Sequence, residues 1–485
     1  MPAISPERRA APKQVTVCLL VCCAFTLLTA STAYGDEWTM YLRDLGHTSF
    51  NANEFQVDKT NVMSFLPSWS YTHTGWPIAS AVSLKDGILF FGDWNGYFHA
   101  ISANDGTEFW SQYVGLSAPG QDPGCTPALG VSSQAAVAGD VVYVGGGDSA
   151  VYALDKSSGN VLWRTSLADP ASGSYLWSSI TYSHNSIYVG IASLGDCPLV
   201  RGAIVRIGLD TPDQPLIRYL APEDQVGGGV WSTPAIDEST NTLFITTGTG
   251  DQDPSSGLFG GTMLSLDATT LEVLNYYFLP TNSTLGDIEW GSSPTLFVAS
   301  DGTPMIAATG KDGNLYGLSR DTLSLKWVTA VAQSCLCPEC GCGSLSTPSF
   351  DGNLLYVGAG AAPDGNYNGS LYAVIPDTGE IVWKRELDGT VIAPTTVANG
   401  LLYAASTTGV AAFDSQTGEM VWEDGAAAIS YAQPVISDGT LYTTYLPGQV
   451  MAWRLPPAMR NRPEKTKPIT PAEASAFNDL HHVLF

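Results

Sequence analysis

An eleven-residue phrase that recurs along the chain is the strongest constraint on its fold. Each copy opens with apolar or small residues, continues with Asp or Ser and polar residues, and places Gly seventh and Trp eleventh. Four clear copies span residues 100–110, 153–163, 373–383 and 412–422, and a weaker copy spans residues 317–327. Repeats a few tens of residues apart that carry only strand and turn signals are typical of a solenoid or a propeller.

The number of repeats follows from a second phrase, which is an apolar strand that ends in a small turn. Its eight copies reach their turns at residues 92, 145, 190, 248, 310, 358, 405 and 444, a mean step of about 50 residues, near the length of a four-stranded blade. We therefore predict an all-β fold: an eight-bladed β-propeller of four-stranded antiparallel blades over residues 36–456. The Trp that ends each phrase is expected to pack between neighbouring blades.

The last blade lacks an outer strand, because its strand signals stop after Trp453. The segment Trp38-Thr39-Met40-Tyr41 is expected to supply this strand by pairing with residues 449–454. Such closure by the N-terminal strand removes an exposed sheet edge.

The two ends of the chain differ from the repeats. Residues 1–35 resemble a secretory signal peptide, with a basic start, an apolar run from Val15 to Leu28 and small residues before a cut near Gly35. The apolar run is too short to span a bilayer comfortably, so we expect no membrane span and a secreted or periplasmic protein. Residues 457–485 form a tail in which Thr470-Pro471-Ala472-Glu473 predicts the start of a short helix. This helix either docks on the propeller or binds a partner.

The composition argues against polyanionic partners. The net charge of −25 argues against binding of nucleic acid or of an anionic membrane surface.

Six cysteines remain after the signal segment, an even number that predicts disulfides in an exported chain. The six are Cys125, Cys197, Cys335, Cys337, Cys340 and Cys342. Disulfides are expected within the 335–342 cluster, and a Cys125–Cys197 bond is a further option. The cluster could instead hold zinc, although four thiolates within eight residues make a strained tetrahedron.

The two phrases together resemble the repeat of quinoprotein alcohol dehydrogenases, which bind pyrroloquinoline quinone (PQQ) in eight-bladed propellers. Three segments resemble the polyvinyl-alcohol-dehydrogenase-like branch in particular. They are Trp38-x-x-Tyr41-x-x-Asp44-x-x-His47-Thr48-x-x-Asn51-x-x-Glu54, residues 91–96 and residues 197–202. The resemblance implies an exported dehydrogenase that oxidises an alcohol with PQQ and calcium.

The resemblance also implies a site in blades 4 and 5. Trp231, in Gly228-Gly229-Val230-Trp231, matches the indole that lies against the flat quinone, and Gly229 belongs to the same segment. Asp251 stands where relatives carry an Asn that helps to hold calcium. Asp287 or Glu289 matches the base that takes the hydroxyl proton, and Lys311 matches the cation that faces the quinone oxygens.

Several departures keep a second function open. Arg201 is the one arginine that we assign to the three quinone carboxylates, and the acidic calcium ligand of blade 3 is replaced around Asp196-Cys197. The chain has no Cys-x-x-Cys-His motif, so its electrons would pass to a separate acceptor such as a cytochrome c. Trp231, Asp251, Asp287, Glu289 and Lys311 could alternatively be ordinary interblade or loop residues. The chain would then be a non-catalytic propeller used as a protein-binding scaffold.

Overall fold

The protein folds as an eight-bladed β-propeller, as predicted. The structure is a computed structural model and describes residues 37–72, 76–118, 125–280, 289–334 and 341–460. The predicted signal peptide and the predicted helix after Pro471 lie outside these residues. Among the described residues, no helix has the length and apolar character needed to cross a membrane.

Each blade is an antiparallel four-stranded sheet. From the innermost strand outward, blade 1 comprises Ser83–Lys85, Ile88–Gly92, Tyr97–Ser102 and Glu108–Tyr113; blade 2 comprises Ala136–Ala138, Val141–Gly145, Ala150–Asp155 and Val161–Ser166; blade 3 comprises Thr181–Ser183, Ser186–Ser193, Ala203–Gly208 and Leu216–Tyr219; and blade 4 comprises Ala235–Asp237, Thr242–Thr246, Thr262–Asp267 and Val273–Phe278.

The second half of the ring continues the same pattern. Blade 5 comprises Thr295–Val298, Pro304–Thr309, Asn314–Ser319 and Leu325–Ala330; blade 6 comprises Ser349–Phe350, Leu355–Ala359, Gly369–Val374 and Ile381–Leu387; blade 7 comprises Thr396–Ala398, Leu401–Ser406, Gly409–Asp414 and Met420–Glu423; and blade 8 comprises Val435–Ser437, Thr440–Tyr445, Gln449–Arg454 and, outermost, Leu66–Thr72. The short elements outside this pattern are the strands Phe50–Asn51, Ser174–Tyr175, Gln252–Asp253 and Leu258–Phe259, the 3-10 helices Val62–Ser64 and Pro170–Ser172, and the α-helix Pro457–Arg460.

The Trp of the repeat phrase joins neighbouring blades, as expected. Trp110, in the outermost strand of blade 1, donates its indole N–H to the Lys156 carbonyl of blade 2 at 3.0 Å. Its ring covers Gly159, where an added Cβ would lie 2.5 Å from the indole. Gly159 has a φ of +73°, so it provides the left-handed turn, and its lack of a side chain leaves room for the indole.

The ring is closed by a different segment from the one predicted. The strand Leu66–Thr72 pairs with Gln449–Arg454, so the expected pairing of residues 38–42 with that strand is wrong. Trp69 explains the choice, because its ring covers Gly106 of blade 1 and its indole N–H donates to the Ala103 carbonyl at 3.2 Å. Trp69 thus fills in blade 8 the position that the phrase Trp fills in other blades.

The segment that begins at Trp38 instead follows the central channel. Trp38 pairs with Leu84 in blade 1, and the Thr39 carbonyl accepts the Val137 N–H of blade 2. Further along, the carbonyls of residues 45, 46, 48 and 49 accept N–H groups from the innermost strands of blades 4, 5, 6 and 7 in turn. The Asn51 amide then donates to the Ile436 carbonyl of blade 8 at 2.8 Å. We name residues 38–51 the channel segment; its carbonyls satisfy inner-strand N–H groups that would otherwise lack partners.

The polar residues of the opening motif shape the channel segment. The Asp44 carboxylate accepts the N–H groups of Gly46 and Thr48 at 3.0 and 3.1 Å. The His47 Nδ1 hydrogen-bonds the Pro294 carbonyl at 2.8 Å, and burial lowers the pKa of His47 to about 4. His47 is therefore neutral at neutral pH, and its role here is structural.

Hydroxyl side chains at the blade starts link successive blades around the channel. The backbone N–H of Gln134 donates to Ser179, that of Ser179 to Thr233, that of Thr233 to Ser293, and that of Ser293 to Thr347, at 2.8–3.2 Å. These bonds tie blades 2 to 6 in sequence. The accepting residues Ser179 and Thr233 lie two residues after Trp177 and Trp231, just before blades 3 and 4.

Candidate functional site

The candidate site lies where blades 4 and 5 present loops to one face of the propeller. Trp231 precedes the innermost strand of blade 4, and Thr249 follows the second strand. Glu289 and Lys311 hold the corresponding positions in blade 5. Because the first two strands of a blade are antiparallel, the start of the first and the end of the second meet at one edge.

Glu289 is a buried carboxylate with both oxygens engaged. Its side chain is 7% exposed, and its Oε1 forms an ion pair with the Lys311 ammonium. Its Oε2 accepts the backbone N–H of Thr249, and the Thr249 hydroxyl donates to the same oxygen at 3.1 Å. The backbone N–H of Lys311 also donates to the backbone carbonyl of Glu289 at 3.0 Å. The carboxylate is therefore fixed in orientation from both sides.

An indole stands beside this pair. The Lys311 Nζ lies 6.0 Å from the centroid of the half-buried Trp231 ring. Gly248 permits the close approach, because an added Cβ would lie 2.6 Å from Glu289 Oε2 and 3.2 Å from Trp231. The Gly248 N–H donates to the Gly229 carbonyl at 2.8 Å, which joins the two loops.

These residues line a cavity of about 350 Å³. We call it the catalytic cavity after the role that we propose for it. Trp177, Leu194, Leu199 and Leu345 give it apolar walls, and Asp196 adds a second acidic side chain. Trp231, Gly229, Glu289 and Lys311 all line it, so the structure brings together four of the residues named from the sequence.

Two of the other predicted site residues point elsewhere. The Arg201 guanidinium lies 3.9 Å from the centroid of the Tyr219 ring, and its Nε donates to the Ala221 carbonyl at 2.7 Å. The Asp251 side chain is exposed, in the loop before the strand Gln252–Asp253. Neither residue is among the described residues that line the catalytic cavity. Asp287 lies outside the described residues.

Of the cysteine expectations, the described residues test the Cys125–Cys197 bond, which is present. Cys125 and Cys197 form a disulfide with a Cα–Cα distance of 5.9 Å. Cys197 follows Asp196, so the bond anchors the loop that borders the catalytic cavity. Cys342 is also disulfide-bonded. Cys335, Cys337 and Cys340 lie outside the described residues, and their bonds remain a prediction.

Sequence reasoning missed Thr249 and Trp177. Thr249 belongs to a Gly-Thr-Gly turn whose next residue, Asp251, drew the attention because a carboxylate can bind calcium. Trp177 precedes the innermost strand of blade 3; its ring lines the cavity and its indole N–H donates to the Ser193 carbonyl at 2.9 Å. The shared pattern Trp-Ser-Ser and Trp-Ser-Thr at residues 177 and 231 was the available signal.

Comparison with known proteins identifies the class. A family model described as "Outer membrane protein assembly factor BamB", a PQQ-repeat family, matches residues 94–219 and 311–456, more than half of the chain. The chain belongs to this family of PQQ-repeat propellers, within the quinoprotein dehydrogenase superfamily.

Individual relatives include several enzymes. The chain is 23% identical over 377 residues to a polyvinylalcohol dehydrogenase of Sphingopyxis sp. (strain 113P3), covering 68% of this chain and 56% of the relative. It is 26% identical over 252 residues to the quinohemoprotein alcohol dehydrogenase ADH IIB of Pseudomonas putida, covering 46% and 35%. The chain thus spans about half or less of the length of these curated relatives.

Solved structures share the fold. The quinohemoprotein alcohol dehydrogenase ADHIIG of Pseudomonas putida HK5 superimposes with a TM-score of 0.70 at 17% identity, over 89% of this chain and 81% of that chain. At this identity the likeness supports the eight-bladed architecture.

Thr249→Val provides a test of the local geometry at Glu289. Val has nearly the shape of Thr but lacks the hydroxyl, so one of two Thr249 donors to the carboxylate is lost while the backbone N–H stays. If Glu289 acts as a base, we expect the acid limb of the pH–rate profile to move to higher pH, because a carboxylate with fewer donors is protonated more easily. Thr249→Ser keeps the hydroxyl and should restore the original profile. An unchanged profile in Thr249→Val would contradict the assignment.

Proposed function

We propose that this protein is an exported PQQ-dependent alcohol dehydrogenase whose site is the catalytic cavity. The observation that carries the proposal is the buried Glu289 carboxylate, held between Lys311 and Thr249 beside the Trp231 indole. A fixed carboxylate, a cation and a flat aromatic wall are the groups that quinone-dependent alcohol oxidation requires.

The described residues fit the quinone ring. Trp231 offers a planar apolar surface for a planar ring, and Lys311 places a positive charge where quinone carbonyl oxygens would need one. When bound, PQQ would accept the hydride from the carbinol carbon. Arg201 was expected to meet the quinone carboxylates, but its guanidinium is directed to Tyr219 and Ala221.

The described residues do not fit calcium. They contain no group of three or more His, Cys, Asp or Glu side chains arranged to hold a metal ion. Asp251 is exposed, and its carboxylate does not line the cavity. We therefore assign no step to calcium, and Lys311 is the positive group on which the proposal relies.

The chain's own residues would have separate roles in alcohol oxidation. Glu289 would take the proton from the substrate hydroxyl, while Lys311 and Thr249 hold its carboxylate in position. The apolar walls formed by Leu194, Leu199 and Leu345 would exclude bulk water from around the alcohol carbon. Electrons would leave to an external acceptor such as a cytochrome c.

A protein-binding scaffold is the second candidate function. It is favoured by the family model, whose description names an outer membrane protein assembly factor. A scaffold needs no buried ion pair beside an indole, which is why we place the enzyme first.

Titration of the purified protein with PQQ distinguishes the two candidates. We expect a saturable change in the quinone absorption spectrum and alcohol-dependent reduction of a dye acceptor. Trp231→Ala should weaken PQQ uptake at least tenfold, because it removes the flat wall of the cavity. Trp76→Ala, a change of an indole that is 47% exposed, is the matched control and should bind PQQ normally. Absence of uptake with and without added calcium would favour the scaffold.

A further inference from the structure

A second cavity, of about 180 Å³, lies in the central channel. We call it the axial cavity. It is lined by residues from the starts of the blades and by Tyr41 of the channel segment. It shares Trp177, Trp231 and Leu345 with the catalytic cavity, so these three side chains separate the two spaces.

The lining of the axial cavity is polar and uncharged. Eight of its side chains carry aliphatic hydroxyls: Ser80, Ser132, Ser179, Ser232, Thr233, Ser292, Ser293 and Thr347. Within the described part of the chain, no Asp, Glu, Lys, Arg or His side chain lines it. The phenol of Tyr41 also stays neutral, because burial raises its pKa. A ligand of this cavity should therefore be polar and neutral.

Two buried amides point to such a ligand. Gln433 is 3% exposed, and neither its Oε1 nor its Nε2 has a hydrogen-bond partner in the protein. Gln134 is 2% exposed; its Nε2 donates to the Val82 carbonyl at 2.9 Å, but its Oε1 has no protein partner. Burying an amide group without a hydrogen-bond partner is unfavourable, so native proteins normally supply one.

We propose that the axial cavity is a binding site for a cluster of ordered water molecules held by Gln433 and Gln134. Its volume far exceeds the roughly 10–15 Å³ that a single water needs. A hydroxyl-lined wall offers each water several partners, whereas cavities that stay empty are apolar. The cluster satisfies three amide atoms that the protein leaves without partners.

The proposed water cluster lies next to the catalytic cavity. It borders the catalytic cavity at Trp177 and Trp231, so one side of both indoles faces ordered solvent. Ordered water would therefore lie behind these two indoles, on the side away from the catalytic cavity.

A crystal structure at about 1.5 Å resolution or better tests the proposal directly. We expect waters within about 2.7–3.2 Å of the Gln433 Oε1 and Nε2 and of the Gln134 Oε1. A dry cavity would overturn the proposal. Hydroxyl and amide oxygens can also bind a monovalent cation, so crystals soaked in rubidium chloride provide a second arm. An anomalous rubidium peak in the cavity would overturn the proposal in favour of an ion site.

The variant Gln433→Met adds a test whose sign depends on hydration. Met has a similar length but no polar atoms, so it removes the anchor of the cluster. With water bound, we expect the melting temperature to fall by about 1–2 °C and the waters at residue 433 to disappear. In a dry channel the same change would remove an unsatisfied amide and raise the melting temperature. An unchanged or higher value would therefore contradict the proposal.

Gln134→Met and Gln225→Met complete the design. Gln134→Met removes the second anchor and also loses the bond to Val82, so it should lower the melting temperature at least as much. Should Gln433→Met fail to fold, this variant and the crystallographic arm still decide the matter. Gln225 is exposed outside the channel, and Gln225→Met should leave the melting temperature unchanged within about 0.5 °C.

Discussion

Replacing Glu289 with Gln is expected to lower the turnover number of the PQQ-loaded protein by about 10² to 10⁴. The carboxylate is buried and held by Lys311 and Thr249, so it is placed to accept a proton in one defined direction. Gln keeps the shape of the side chain but cannot accept the proton as a base. PQQ uptake should therefore change little while steady-state alcohol oxidation is lost.

The comparison needs a carboxylate outside the cavity as its control. Glu238 lies in blade 4, its side chain is 45% exposed, and it accepts a hydrogen bond from Ser183 at 2.6 Å. Glu238→Gln makes the same chemical change and should retain full activity. If Glu289→Gln also retained full dehydrogenase activity, Glu289 would not be the base, and the assignment would pass to Asp287.

Replacing Trp38 with Ala is expected to destabilise the fold strongly. Trp38 is fully buried and packs in one cluster with residues of blades 1 and 8, including Val82, Leu84 and Val450. Loss of a buried Trp side chain typically costs about 3–5 kcal/mol through lost contacts and a residual cavity. We expect a lower midpoint of denaturant unfolding and a melting temperature reduced by several degrees.

Trp76→Ala is the matched control for this experiment as well. It removes the same side chain from a position that is 47% exposed, and it should shift the midpoint very little. A Trp38→Ala protein as stable as Trp76→Ala would show that the channel segment contributes little to the closed ring.

The blade count could be predicted from the sequence because each blade repeats the same physical requirement. The ring of each such Trp packs on a glycine of the next blade, and this pair recurs at fixed spacing, as with Trp110 and Gly159. The position of the candidate site was implied by the family resemblance and not by the repeat itself, and Trp231, Glu289 and Lys311 do line one cavity.

The closing strand could not be placed by the same reasoning. Trp38 and Trp69 both precede the first repeat, and each is an aromatic residue next to a strand-like segment. The choice between them depends on which indole reaches Gly106 of blade 1, and this is a tertiary contact. The side-chain directions of Arg201 and Asp251 were likewise beyond the sequence, because a short tertiary contact to Tyr219 turns Arg201 towards the outer strand.

A crystal structure of the protein soaked with PQQ tests the central claim most directly. The account predicts the quinone in the catalytic cavity, with its ring against Trp231 and its carbonyl oxygens within hydrogen-bond distance of the Lys311 ammonium. Clear density for the cavity without quinone, at a PQQ concentration far above that of the protein, would contradict the account.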